Sequence, residues 1–380
     1  MKHWKRTLCA ALAALMLLGA AGCGGGNKAP AGEAPVIEGL TYESTESLEY
    51  ADQFAIYHYR DGYSLIDMVN SDRMLVVPEG AAVPEKLDPD VVVVQQPLDR
   101  IYLAATSAMA LFEAIDGVGA IDYVGTREWY TAGAAQALER GDFVYAGKYN
   151  APDYEMLLGG GCRLAVESTM ILHNPEVKEK LIELGIPAIV ERSSYENHPL
   201  GRTEWIKVYG ELLGKEAEAQ AIFTEQAEKV RSLESLAPTG KTVAFFYVSS
   251  GGSAVTYKTD GYVPAMIRIA GGEYIFSDLG LDDDSKLSTV SMSMEEFYAA
   301  AKEADVIIYN CSITSQLHDL QEFLDRSPVL EDFKAVREGN VWCTTESMFQ
   351  QTDKMGTIIQ EINAILTGSA ENLEYIFRLQ

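Results

Sequence analysis

Residues 215–236, Lys-Glu-Ala-Glu-Ala-Gln-Ala-Ile-Phe-Thr-Glu-Gln-Ala-Glu-Lys-Val-Arg-Ser-Leu-Glu-Ser-Leu, form the longest uninterrupted helical pattern in the chain. Ala219, Ile222, Phe223, Ala227, Val230 and Leu233 recur at the three- and four-residue spacing that gathers apolar side chains on one helical face. Gly214 precedes the stretch, and Pro238-Thr239-Gly240 stops it. What lies on either side decides what this helix does. Before it, strand-like runs alternate with short helical patterns. After it, the alternation restarts at Thr242-Val-Ala-Phe-Phe-Tyr-Val. Such alternation is the mark of βαβ units and parallel sheets. The reading is therefore α/β, with two Rossmann-like lobes built on parallel sheets and bridged by a single long α-helix.

Working outward, the first lobe takes residues 96–200, a helix pair including the linking helix takes 201–237, and the second lobe takes 238–380. Upstream, residues 41–95 read differently, as a β-rich extension packed on the first lobe. Phe54-Ala-Ile-Tyr-His-Tyr and Tyr63-Ser-Leu-Ile-Asp-Met-Val flank Asp61-Gly62, a strong hairpin signal. Some 345 residues lie beyond Pro35, more than one core usually spans, which also favours two lobes.

The amino terminus sets the compartment. Lys2, Lys5 and Arg6 precede an apolar run from Thr7 to Ala21. That run falls short of the roughly 20 residues that a spanning helix needs, and it suits a secretory signal. Ala20-Ala21-Gly22-Cys23 resembles a bacterial lipobox, with Ala20 where the pattern prefers leucine. The resemblance implies a signal peptide over 1–22, cleavage before Cys23 and acylation of that residue. Residues 23–40 then carry the lipid anchor and a Gly-, Ala- and Pro-rich flexible tether.

The full chain carries 30 basic and 56 acidic residues. Loss of residues 1–22 removes three basic residues and no acid, leaving a balance of −29. So acidic a surface argues against nucleic acid. Cys162, Cys311 and Cys343 show no C-x-x-C spacing, and buried free thiols are expected. His58, His173, His198 and His318 form no zinc pattern, so no metal site of the protein's own is expected.

The order and spacing of several segments resemble the substrate-binding proteins of bacterial ABC importers for iron complexes, haem and cobalamin. The carriers are Asp99-Arg100-Ile101 leading to Thr106-Ser107, Gly147 to Leu158, Leu184-Gly-Ile-Pro-Ala-Ile-Val, Ala270-Gly-Gly-Glu-Tyr-Ile-Phe, Ser293-Met-Glu-Glu-Phe and Ala304-Asp-Val-Ile-Ile-Tyr. The resemblance covers residues ~95–370, and the extension at 41–95 departs from it. It implies an extracytoplasmic, monomeric binding component that passes a small ligand to a membrane permease with its ATPase. It further implies a metal chelate as ligand (a ferric siderophore, or haem or a corrinoid) and no intrinsic cofactor. One exposed glutamate per lobe would dock on permease arginines, here Glu155 and Glu295. Both also sit in the first turn of a helix, where the dipole favours carboxylates, and Ser293 with Glu296 forms a capping box that leaves Glu295 free to project.

Independently of any family, ligands of open parallel sheets sit beyond the carboxyl ends of the strands. In the first lobe that rule selects Thr106, Ser107, Arg127, Trp129, Tyr130, Glu167, Ser193 and Tyr195. In the second it selects Ser249, Asn310 and Gln350. His198, Arg202, Tyr257 and Lys258 join them from polar segments beside the linking helix and in a second-lobe loop. Arg127 beside Trp129 and Tyr130 suits an anionic, flat ligand through bidentate pairing and stacking. Two other functions compete. A surface-anchored hydrolase would need a nucleophile with its base, and Gly-x-Ser-x-Gly is absent. A non-transport sensor or adhesin would use the same scaffold without a permease.

Overall fold

The computed structural model describes residues 34–282 and 287–380. The expected signal peptide, the acylated Cys23 and most of the tether lie outside the described residues.

The extension is a five-stranded sheet in sequential order: β1 (Tyr42–Thr45), β2 (Phe54–Tyr59), β3 (Ser64–Met68), β4 (Arg73–Val77) and β5 (Val91–Gln95). Neighbours run antiparallel except β4 and β5, which are parallel. Asp61 and Gly62 both adopt positive φ, 65° and 82°, as the tight turn between β2 and β3 requires. Strand alternation sorts the side chains. Phe54, Ile56, Ile66, Met68, Met74 and Val76 join the main core, while Tyr57, Tyr59, Leu65, Leu75 and Val77 build a small outer core with Ile37.

The first lobe holds β6 (Ile101–Leu103), β7 (Ile121–Val124), β8 (Val144–Tyr145), a two-stranded flap of β9 (Gly147–Lys148) and β10 (Ala151–Pro152), then β11 (Leu164–Ser168) and β12 (Ala188–Glu191). Its sheet has the order β12-β11-β6-β7-β8 and is parallel throughout. The second lobe holds β13 (Thr242–Val248), β14 (Ala254–Tyr257), β15 (Glu273–Tyr274), β16 (Thr289–Met292), β17 (Val306–Tyr309), β18 (Val341–Thr344) and β19 (Ile376–Arg378). Here β13, β15, β17 and β18 are parallel, but β14, β16 and β19 run against their neighbours. The expected parallel sheet is present in this lobe and is extended by antiparallel strands. A short hairpin turn at Ser249–Ser253 returns the chain beside β13, which no crossover helix could do. The two sheets are separate.

The linking helix spans Glu216–Glu234. Ala219, Phe223, Ala227, Val230 and Leu233 are buried along it, as the spacing predicts. Gln226, also buried, meets the closing helix Met355–Thr367, where its Oε1 accepts the Thr357 N–H at 3.2 Å. A Cβ at Gly356 would stand 2.3 Å from the Gln226 carbonyl oxygen, so only glycine lets the two helices approach this closely.

Residues 46–53 leave the extension as a strap across helices Pro199–Glu204 and Ile206–Leu213 and the linking helix. Glu204, fully buried, accepts the backbone N–H groups of Glu49, Tyr50 and Ala51 at 2.8–3.1 Å. Glu196 accepts those of Asp52 (3.0 Å) and Gln53 (3.1 Å) and the Trp205 indole N–H (2.9 Å). Lys207 donates to Glu46 and to the Ser47 carbonyl, both at 2.9 Å. Arg231 of the linking helix pairs with Glu49. Gly201 faces the strap with only 3.1 Å between its would-be Cβ and the Tyr50 carbonyl oxygen.

Cys311 and Cys343, at the tips of adjacent parallel strands β17 and β18, are joined as a disulfide, which corrects the expectation of free thiols. They are 32 residues apart in sequence, and only the sheet makes them neighbours. Cys162 is free and buried, as expected.

Candidate functional site

The carboxyl ends of the first-lobe strands carry a chain of polar contacts. After β6, Ser107 donates to Glu191 Oε2 at 3.0 Å, and Glu191 Oε1 accepts the Ser193 N–H at 2.8 Å. Thr106 and Ser107 remain half-buried at the tip. After β7, the exposed Arg127 lays its guanidinium over the Tyr145 ring, 4.5 Å from the centroid. Tyr130 is 39% exposed and meets Phe349 of the second lobe edge-on at 6.1 Å. After β12, Arg192 covers the Tyr195 ring at 4.7 Å, and Ser194 bonds Thr169 at 3.2 Å.

From the second lobe, the Ser249 hydroxyl accepts the Ser253 N–H at 3.2 Å and closes the hairpin turn. Asn310 is buried, and its Oδ1 accepts the Ser312 N–H at 3.1 Å. Arg202, 7% exposed, stacks on Tyr262 at 4.2 Å from the centroid, and Tyr262 stands edge-on to Tyr257 at 5.6 Å. The aromatic face that Arg202 covers and the Tyr257 phenol nearby supply its setting. Burial raises the Tyr257 pKa well above that of an ordinary phenol. Lys258 is buried beside it.

The structure therefore divides the predicted residues. Thr106, Ser107, Arg127, Tyr130, Tyr195 and Ser249 keep some exposure at the facing tips. Arg127 and Tyr257 have separate aromatic partners rather than a shared one. Several readings are corrected. Trp129 is 7% exposed and packs edge-on against Phe143, because it points back into the lobe rather than outward. Glu167 is fully buried, with no partner for either carboxylate oxygen, and burial pushes it up to about 8. Strand alternation turns it into the small cluster under the flap, away from the cleft. Ser193 is fully buried as well.

His198 lies elsewhere. It stacks on Tyr50 at 4.4 Å, its Nδ1 accepts the Leu200 N–H at 3.2 Å, and burial lowers its pKa to about 4. It lines a cavity of about 310 Å³ at the far end of the linking helix with Val230, Leu233 and Arg268, and it caps the helix Pro199–Glu204. Gln350 is 1% exposed, and its amide is committed to the first-lobe backbone rather than to the cleft. Among the described residues, no group of three or more His, Cys, Asp or Glu side chains converges to hold a metal.

Both glutamates proposed for docking are exposed in the first turns of their helices, one on each lobe. The Ser293–Glu296 capping box forms as read, so Glu295 is not consumed by it. Sequence reasoning missed Glu196, Glu204 and Lys207, whose partners lie about 150 residues away. Nothing local in the sequence marked them out.

Two α/β lobes, one long connecting helix and polar strand tips turned toward each other define a two-lobe solute-binding protein. The chain belongs to the periplasmic binding protein family, whose pattern matches residues 122–347. This is a family of binding proteins, not of enzymes. An uncharacterized lipoprotein of Methanocaldococcus jannaschii is 26% identical over 362 residues, covering 86% of this chain and 83% of its own length. Among solved structures, a periplasmic haem-binding protein from Pseudomonas aeruginosa superposes with a TM-score of 0.57 at 16% identity, covering 74% of this chain and 98% of that one. A periplasmic vitamin B12-binding protein of Vibrio cholerae gives a TM-score of 0.52 at 17% identity, covering 73% and 99%. These two likenesses are likenesses of fold.

Proposed function

We propose that this chain is the extracytoplasmic, lipid-anchored binding component of an ABC importer. It captures a metal chelate between its lobes and delivers it to a membrane permease. The observation that carries the reading is that loops following the strands of two separate sheets meet, Tyr130 against Phe349 and Gln350, with one 19-residue helix linking the lobes. Sheet tips are where α/β folds take ligands. The family match and the haem- and vitamin B12-binding fold neighbours support the chelate class. The relative's designation as a lipoprotein supports the anchor at Cys23. Among the described residues no helix is long and apolar enough to cross a membrane. The exposed Glu155 and Glu295, one per lobe, orient the protein on permease arginines, a use in which surface charge contributes on-rate and register more than affinity. Ligand choice rests on side chains at the tips, since fold alone does not specify it.

The test is native mass spectrometry of the mature protein against ferric siderophores, haem and cobalamin, with tryptophan quenching as a second readout. One member should bind with one-to-one stoichiometry. Silence across the whole panel removes the metal-chelate reading.

A further inference from the structure

The lobes touch along a seam that includes residues 128–131 of the first and 349–353 of the second, with residues 352–354 also packed on the helix Met109–Ala114. Gln350 is its centre. Its Oε1 accepts the Tyr130 N–H at 2.9 Å, and its Nε2 donates to the Glu128 carbonyl at 3.0 Å. One side chain of the second lobe thus pairs with a donor and an acceptor of the first-lobe backbone, as a neighbouring strand would. Phe349 adds its edge contact with Tyr130, and the Thr203 hydroxyl of the helix pair donates to the Thr352 carbonyl at 2.8 Å.

Around this clasp the seam is poorly satisfied. Thr131 Oγ1 on one side, and Thr352 Oγ1 and Asp353 Oδ1 on the other, are buried polar atoms without a hydrogen-bond partner. Glu113, whose charge is felt at Asp353, is already occupied by the N–H groups of Gly133 and Ala134. Buried polar groups are almost always paired, and each exception is a cost carried by the closed arrangement. Separating the lobes would hydrate these three atoms and sacrifice the clasp's two hydrogen bonds, which water replaces. The closed arrangement is therefore less favourable than a fully paired seam would be.

We propose that Gln350 is a positioning residue, the clasp that sets lobe closure, and that the seam opens and recloses around it in the free protein. What the opening admits rests on the binding reading; the opening itself is measurable without any ligand. The cleft is on this account gated at residues 128–131 and 349–353, and the linking helix stays a fixed strut.

The experiment uses the mature chain carrying nitroxides at Glu139→Cys and Glu331→Cys, two exposed positions on opposite lobes. Double electron–electron resonance should give a distance distribution that shifts to longer values in Gln350→Ala. Gln350→Glu, which keeps the acceptor for Tyr130 but loses the donor to Glu128, should fall between. In parallel, hydrogen exchange at the Tyr130 amide should quicken about tenfold in Gln350→Ala, the loss of one hydrogen bond. Amides of β17 should keep their rates, which shows that the fold is intact. Superimposable distance distributions, or a Tyr130 amide that exchanges at the parent rate, would overturn the proposal. So would a rise in exchange across β17 as large as that at Tyr130, which would make Gln350 a general stabiliser.

Discussion

Two junctions in this molecule use the same device, a polar side chain that pairs with another segment's backbone, yet they are finished differently. At the strap, Glu204 and Glu196 take five backbone N–H groups and an indole N–H, Lys207 and Arg231 supply cations, and Tyr50 closes the surface by stacking on His198. At the seam, Gln350 makes two bonds while three neighbouring polar atoms go without. A junction whose buried groups are all paired is expensive to open, because each would be exposed at once or left alone. One with unpaired groups already bears part of that cost. The contrast separates a permanent joint from one that works.

The sharpest attack on this contrast is Glu204→Ala. It strips three backbone N–H groups of their buried acceptor and leaves Lys207 with one carboxylate, Glu46, instead of two. Removing one partner of such a buried charged network should cost about 3–5 kcal/mol. Calorimetric or denaturant unfolding reads it directly, and a loss below about 1 kcal/mol would mean that the strap merely rests on the helices.

A second, smaller effect is acid weakening of the same joint. The unfolded chain protonates a histidine below about 6.5, whereas buried His198 resists protonation until about 4. Folding thus loses stability as pH falls from 6.5 to 4, and gains nothing further from this group above 6.5. Glu167 acts in the opposite sense: its acid form is held up to about 8, so its contribution declines as pH rises toward that value. His58, raised by Glu46 and Glu211, also favours acid. The His198 part is isolated by His198→Asn, which keeps a helix-capping side chain. The variant's unfolding free energy should vary less than the parent's between pH 6.5 and 4, and parallel curves would remove His198 as the cause.

The smallest expected change is in the stability of Gln350→Ala. Water takes over both of its hydrogen bonds, so global unfolding should shift by no more than about 1 kcal/mol, even as the lobe distance responds. A shift as large as that of Glu204→Ala would erase the distinction between the two junctions.

How much of this was readable in the chain varies by element. The linking helix was legible almost to its ends, because Gly214, Pro238 and a 3.6-residue apolar spacing are local signals. The hairpin at Asp61-Gly62 and the Ser293–Glu296 cap were legible for the same reason. The strand-tip rule found the right ends of the strands, but it could not say which way each side chain turns. Glu167 and Trp129 face inward, while Arg127 and Tyr130 face out. Antiparallel β14, β16 and β19 were missed, since strand direction is a property of pairing rather than of composition.

Periodicity, punctuation and capping act over three to ten residues, and so the sequence alone determined the helices, most strands, the two-lobe order and an export-type amino terminus. Which buried polar atom meets which partner was decided only in three dimensions. Glu204 finds Tyr50 across 154 positions, Gln350 finds Tyr130 across 220, and Cys311 finds Cys343 across a sheet. Those pairings depend on the packing of whole elements, and no local pattern encodes them.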